Sequence, residues 1–170
     1  MTCPVTLSMT CLAVFLVAFT LLLPPVPKLV WNVSASVPIG LYSVRPLNAH
    51  RVGDLVIVKP PVALVAFLDT RGYLARGVPL LKHIAGLPGQ LVCRTGRAIT
   101  VDGVTMGQAL DRDHLGRILP RWEGCRLIAD QEVFLMNSQS ENSVDGRYFG
   151  PLSASTIVGR ARPLWLVGDH

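Results

Sequence analysis

Apolar residues cluster heavily at the amino end of this chain. From Leu12 to Leu23 the hydrophobic run is broken only by Thr20, and no charged side chain occurs between Met1 and Pro27. With the residues ahead of it, the run reaches the length a helix needs to cross a bilayer core. Pro24, Pro25 and Pro27 predict its end, and Trp31 just beyond suits a membrane interface. A cleaved export signal would carry a basic start and small residues at its cut site. The n-region here has no Lys or Arg, and Pro24-Pro25-Val26-Pro27-Lys28 is a poor cleavage context. The reading is a retained anchor over 1–31, followed by one folded domain over 32–170. Lys28 alone does not fix the anchor's orientation.

Beyond the anchor the pattern shortens to strand-like runs. Residues 39–44, 54–58, 80–85, 90–93, 98–101, 104–106, 132–136 and 156–167 carry β-branched and apolar residues between Gly and Pro punctuation. Asp102-Gly103 between two such runs predicts a tight hairpin. Residues 62–74 are the one helix expected outside the anchor, and 107–124 read as irregular. Fifteen Gly and thirteen Pro in 170 residues favour short strands and many turns. The expected domain is therefore mostly β, a coiled or barrel-like antiparallel sheet.

Composition narrows the class. Half the residues are hydrophobic and 16% charged, with 16 Lys+Arg against 11 Asp+Glu. These values exclude a disordered chain, a collagen-like chain and an ordinary soluble cytosolic domain. The basic side is almost all arginine, with only three lysines, at 28, 59 and 82. Lys28 sits at the membrane edge and Lys59 precedes two prolines. Lys82 differs, because Leu80-Leu81 and Ile84-Ala85 flank it and strand alternation can turn it inward. A buried lysine loses the solvation that favours its charge, and a neutral amine is a competent general base. Ser36 lies where the chain leaves the anchor, beside the turn residues Pro38 and Gly40. The segment 137–151 is dense in short polar groups and carries Asp145 and Arg147, which can pair. Taken singly, each feature also fits a surface lysine, a turn serine and a solvated loop. Cys93 and Cys125 fit no zinc pattern; a disulfide in an exported domain and two separate buried thiols both stay open.

Together and in this order, three segments resemble the boxes of the type I signal peptidases: Ser36-Val37-Pro38, Leu81-Lys82-His83-Ile84-Ala85-Gly86-Leu87-Pro88-Gly89, and Asn142-Ser143-Val144-Asp145-Gly146-Arg147-Tyr148-Phe149-Gly150-Pro151. The box Ser-x-Pro-Ile-Gly-Leu-Tyr, the run Arg71-Gly72-Tyr73-Leu74 and the run Trp122-Glu123-Gly124-Cys125 resemble the conjugative-transfer, TraF-type branch. The resemblance implies the signal peptidase fold with one transmembrane helix, in the bacterial inner membrane with the catalytic domain facing the periplasm. It implies Ser36 as nucleophile, Lys82 as general base and Ser143 as the group orienting the amine. Asp145 and Arg147 become a supporting ion pair; the matching aspartate of pilin-cyclising relatives is implicated in that reaction, which opens a direct part for Asp145 here. The oxyanion donors become the Ser36 N–H and the Ser34 hydroxyl. Gly146 and His83 depart from the family's usual serine and arginine. His50, His114 and His170 receive no role.

The implied partners are a pilin precursor and inner-membrane lipid, with no nucleic acid, metal or cofactor. Two other readings are a general signal peptidase and an inactive structural subunit of a conjugation or secretion apparatus. A self-cleaving repressor is disfavoured, because it needs a DNA-binding domain where the anchor stands.

Overall fold

The computed structural model describes residues 3–22 and 28–168. A helix α1 (Cys3–Leu22) precedes the domain. The prolines expected to end it lie outside the described residues. Among the described residues, no helix is long and apolar enough to cross a membrane.

Eleven strands follow: β1 (Leu29–Asn32), β2 (Gly40–Arg45), β3 (Leu55–Val58), β4 (Leu80–Gly86), β5 (Leu91–Thr95), β6 (Ala98–Val101), β7 (Val104–Gln108), β8 (Gly124–Leu127), β9 (Glu132–Leu135), β10 (Leu152–Ser153) and β11 (Ile157–Leu166). Two helices are inserted, α2 (Val62–Thr70) and α3 (Gly146–Phe149). The strands form a seven-stranded sheet, β1-β2-β11-β3-β4-β9-β10, and a four-stranded sheet, β7-β6-β5-β8. Every pairing is antiparallel. The domain is mostly β, as the short punctuated runs imply.

Three differences from the sequence pattern have local causes. β1 starts at Leu29 and pairs with β2, so the sheet begins three residues ahead of the expected boundary at Asn32. α2 stops at Thr70 because Gly72 turns to φ 67° and the Tyr73 N–H reaches back to the Leu68 carbonyl at 2.9 Å. β8 emerges at the end of a stretch expected to be irregular. All four of its residues are exposed, so it shows no alternation. The Asp102-Gly103 hairpin forms, and both residues have positive φ, 49° and 79°, which a two-residue turn of this hand requires.

Leu68 of α2 packs on Val56, Val58, Leu80, Ile84, Val133 and Leu135. Ala85, Phe134 and Met136 join the small sheet through Val92, Ile99, Val101 and Ile128. β4 thus lies in the middle of the large sheet and carries apolar packing on both faces.

Cys93 and Cys125 face each other across β5 and β8 and form a disulfide, which resolves the two readings. The bridge closes a loop of sequence separation 32 and contributes about 2–4 kcal/mol. The Cys93→Ser/Cys125→Ser variant is expected to melt several degrees lower. Melting the wild type with reductant should reproduce that shift, and the reductant should leave the variant's own curve unchanged.

Candidate active site

Ser36 sits on a turn that hydrogen bonds hold in place. The buried Asn32 amide donates to the carbonyls of Ser34, Val37 and Pro38 at 2.8, 3.1 and 3.0 Å. Its Oδ1 accepts from the Ser34 N–H at 3.1 Å. The Tyr42 hydroxyl closes on the Pro38 carbonyl at 2.6 Å. Asn32 is the last residue of β1, so the sheet edge itself fixes the serine turn. The Ser34 and Ser36 hydroxyls lie 3.1 Å apart.

Lys82 is opposite Val56 in the β3–β4 register. Strand alternation places it on the face of Leu80 and Ile84, toward the cluster that holds Leu68. It is 3% exposed. Burial, opposed by the charge of Asp145 and assisted by that of Arg147, pushes its pKa down from 10.5 to about 8. The amine donates to Ser143 Oγ at 2.6 Å.

The strand around Lys82 is clamped by Asn137, a residue without an expected role. The buried Asn137 amide donates to the Leu81 carbonyl at 3.1 Å, and its Oδ1 accepts from the His83 N–H at 3.0 Å. It also meets His83 Nδ1 at 3.1 Å. β9 ends at Leu135, and Asn137 extends its ladder to both neighbours of Lys82. In sequence this asparagine looks like any loop residue after a strand.

Behind Asn137 lies a bidentate ion pair. Arg147 Nε and Nη2 each reach an Asp145 oxygen at 2.8 Å, and the two side chains are 1% and 0% exposed. Burial opposes the charge of Arg147, but hydrogen bonds and the charge of Asp145 hold its pKa above the ordinary arginine value. The guanidinium also donates to the carbonyls of Ser140 and Ser143 at 2.7 and 3.1 Å, tying down the loop that presents Ser143. Asp145 further accepts the Asn137 N–H at 3.0 Å. Its buried, saturated carboxylate belongs to the scaffold and not to the cavity wall. Gly146 suits this packing, since a Cβ there would lie 2.6 Å from Phe134 Cε2 and 2.7 Å from the Leu135 carbonyl oxygen.

Ser34, Ser36, Lys82 and Ser143 line one cavity of about 340 Å³. Among the described residues no hydrogen bond joins Lys82 to Ser36; the amine is on Ser143 and the Ser36 hydroxyl on Ser34. His114, given no role from sequence, also borders this cavity. Ser36 borders a second cavity of about 190 Å³ as well, walled by His83, Met106, Met136 and Asn137. A peptide crossing Ser36 therefore has room on both sides. Among the described residues, no cluster of His, Cys, Asp or Glu could hold a metal ion.

The chain is similar in sequence to known proteins. The sequence model of the family described as signal peptidase, peptidase S26, matches residues 2–166. A conjugal transfer protein TraF of Agrobacterium fabrum is 36% identical over 146 residues, 79% of this chain and 80% of that protein. A plasmid transfer protein TraF of Escherichia coli is 30% identical over 142 residues, 78% of this chain and 80% of that protein. Among solved structures, a signal peptidase I from Enterococcus faecalis aligns over 67% of this chain and 97% of that one, at 17% identity and a TM-score of 0.39. The chain belongs to the signal peptidase family, peptidase S26, a family of serine peptidases. Within it, the chain falls in the branch of the TraF conjugal transfer proteins.

Proposed function

We propose that this chain is a membrane-anchored serine endopeptidase that matures a conjugative pilin precursor, with Ser36 as nucleophile and Lys82 as general base. The observation that carries the reading is a buried lysine amine of lowered pKa that shares a cavity with Ser36 and is held by Ser143.

Neutral Lys82 takes the Ser36 proton as Oγ attacks the scissile carbonyl. For this the amine swings from Ser143 toward Ser36, an adjustment common when substrate tightens a resting site. The Ser36 N–H and the Ser34 hydroxyl stabilise the oxyanion; one such donor is worth about 3–4 kcal/mol. The protonated lysine gives its proton to the leaving amine, and an acyl-enzyme remains on Ser36. Water then releases a linear product. Attack by the substrate's own amino terminus would instead release a cyclic one. Asp145 and Arg147 act at one remove, by holding the Ser143 loop.

The anchor is the apolar amino-terminal sequence, charge-free from Met1 to Pro27, of which α1 is the described part. Every described side chain from Val5 to Phe19 is exposed. Trp31 and Trp165 pair with ring centroids 5.5 Å apart on an exposed surface near the domain's entry point, as an interfacial belt requires. The disulfide fits the oxidising periplasm. Co-expression with the pilin precursor tests the reading. Mass spectrometry should show loss of a terminal segment with the wild type; a cyclic product needs the pilin to be the acyl half, so it would lack a carboxyl-terminal segment and weigh one water less than the linear product of the same cut. An unprocessed pilin beside folded wild-type enzyme would favour the structural-subunit reading.

A further inference from the structure

Four arginines that play no part in the site above converge on a separate cavity of about 240 Å³. Arg45, Arg51, Arg160 and Arg162 line it, together with Pro46, Leu47, Asn48 and Ala49. Asp54 is the acidic partner at this place. Its Oδ2 accepts from Arg160 Nη2 at 2.6 Å and from the Arg51 N–H at 3.2 Å. One carboxylate against four guanidinium groups leaves the cavity strongly positive. The Asp54 contacts also hold Arg160 and the Arg51 backbone in place. Arg160 keeps one donor unpaired, because its Nε is buried with no partner among the described residues. Of the four guanidinium groups Asp54 holds that of Arg160, and the type matches the geometry and charge of phosphate oxygens.

The register locates this cavity on the molecule. Arg45 and Arg160 are paired across β2 and β11, and Arg162 faces Ser43, which in turn faces Leu29 of β1. The Val44 N–H donates to the Lys28 carbonyl at 2.9 Å, so the point where the chain enters the domain lies beside Arg45. Seven residue steps join Leu22 of α1 to Leu29 of β1, and so few can span at most about 25 Å. Trp165 lies three residues beyond Arg162 on the same strand.

We infer that the Arg45–Arg51–Arg160–Arg162 cavity binds a phosphate group, with an anionic phospholipid headgroup as the source its position favours. Bound there, the headgroup would fix the domain's tilt on the bilayer and so the height of Ser36 above it. The phosphate chemistry stands on the arginines alone; the lipid source rests on the anchor proposed above.

The test is native mass spectrometry of the full chain in a neutral detergent, titrated with phosphatidylglycerol or phosphatidylcholine. The wild type is expected to retain one phosphatidylglycerol in preference to phosphatidylcholine. Arg45→Gln/Arg162→Gln should weaken that retention about thirty-fold, each basic residue contributing about fivefold. Lys59→Gln should change nothing. Displacement of the lipid by millimolar inorganic phosphate would show that the phosphate group suffices from any source; persistence of the lipid would assign the site to the esterified headgroup. Equal retention of the two lipids, or a double variant that binds like the wild type, would overturn the inference. Alkaline carbonate extraction of membranes tests the anchor separately, since both proteins should stay with the lipid whatever the cavity binds.

Discussion

Ser36→Ala is expected to abolish pilin processing, lowering the rate by about a million-fold, the scale seen when an activated nucleophile is removed from its unit. Lys82→Met should do nearly the same. The Ser36→Ala/Lys82→Met pair should be no worse than either single change, because base and nucleophile act in one step. The stability readout separates chemistry from folding. Ser36 is half-buried on a turn whose hydrogen bonds run through Asn32 and Tyr42 rather than through its hydroxyl. Its loss should leave the melting temperature within about a degree. Lys82→Met replaces a desolvated amine by an apolar chain of similar length in a buried place. That variant should melt at or above the wild-type temperature. A Lys82→Met protein that still processes pilin would remove the lysine from the mechanism.

Arg147→Ala is the second large effect, and it acts on stability. It leaves Asp145 charged and fully buried, and it frees the carbonyls of Ser140 and Ser143. Breaking a buried pair from one side costs about 3–5 kcal/mol, on the order of 10 °C in melting temperature for a domain of this size. Arg147→Lys should recover only part, since an ammonium cannot span both Asp145 oxygens. The surviving folded fraction should also show a higher apparent pKa for activity, because the Arg147 charge that helps to lower the Lys82 pKa is gone while the opposing charge of Asp145 remains. An unchanged pKa would take Arg147 out of the electrostatics of the site.

The site's three segments were legible because each is contiguous and carries its chemistry in a short run. Lys82 among leucines and isoleucine, and Asp145 two residues before Arg147, can be read without knowing what lies across from them. What escaped depends on partners distant in sequence. β1 is four residues after a proline run, and it becomes a strand only because β2 offers an edge. β8 has no buried position to give it a period. The Cys93–Cys125 pairing follows from the β5–β8 register, which a stretch without strand signals conceals. Asn32 and Asn137 look like loop residues, yet one pins the serine turn and the other clamps both neighbours of Lys82. His114 reaches the cavity wall from the irregular segment 107–124, where nothing local suggests it. The arginine cavity gathers residues from the two ends of the domain through the β2–β11 pairing.

In the proposed mechanism the buried amine at position 82 takes the proton of the hydroxyl at position 36. The most direct measurement is the rate at which a serine-directed acylating reagent labels the protein as a function of pH, with the labelled peptide identified by mass. The amine works only when unprotonated and its pKa is about 8. Below that value the rate should climb about tenfold per pH unit, and above it the rate should level off. One acyl group should appear, on Ser36, and Lys82→Met should not acquire it. Labelling of another residue, no labelling at all, or a Ser36 rate that still climbs steadily to pH 10 would contradict the account.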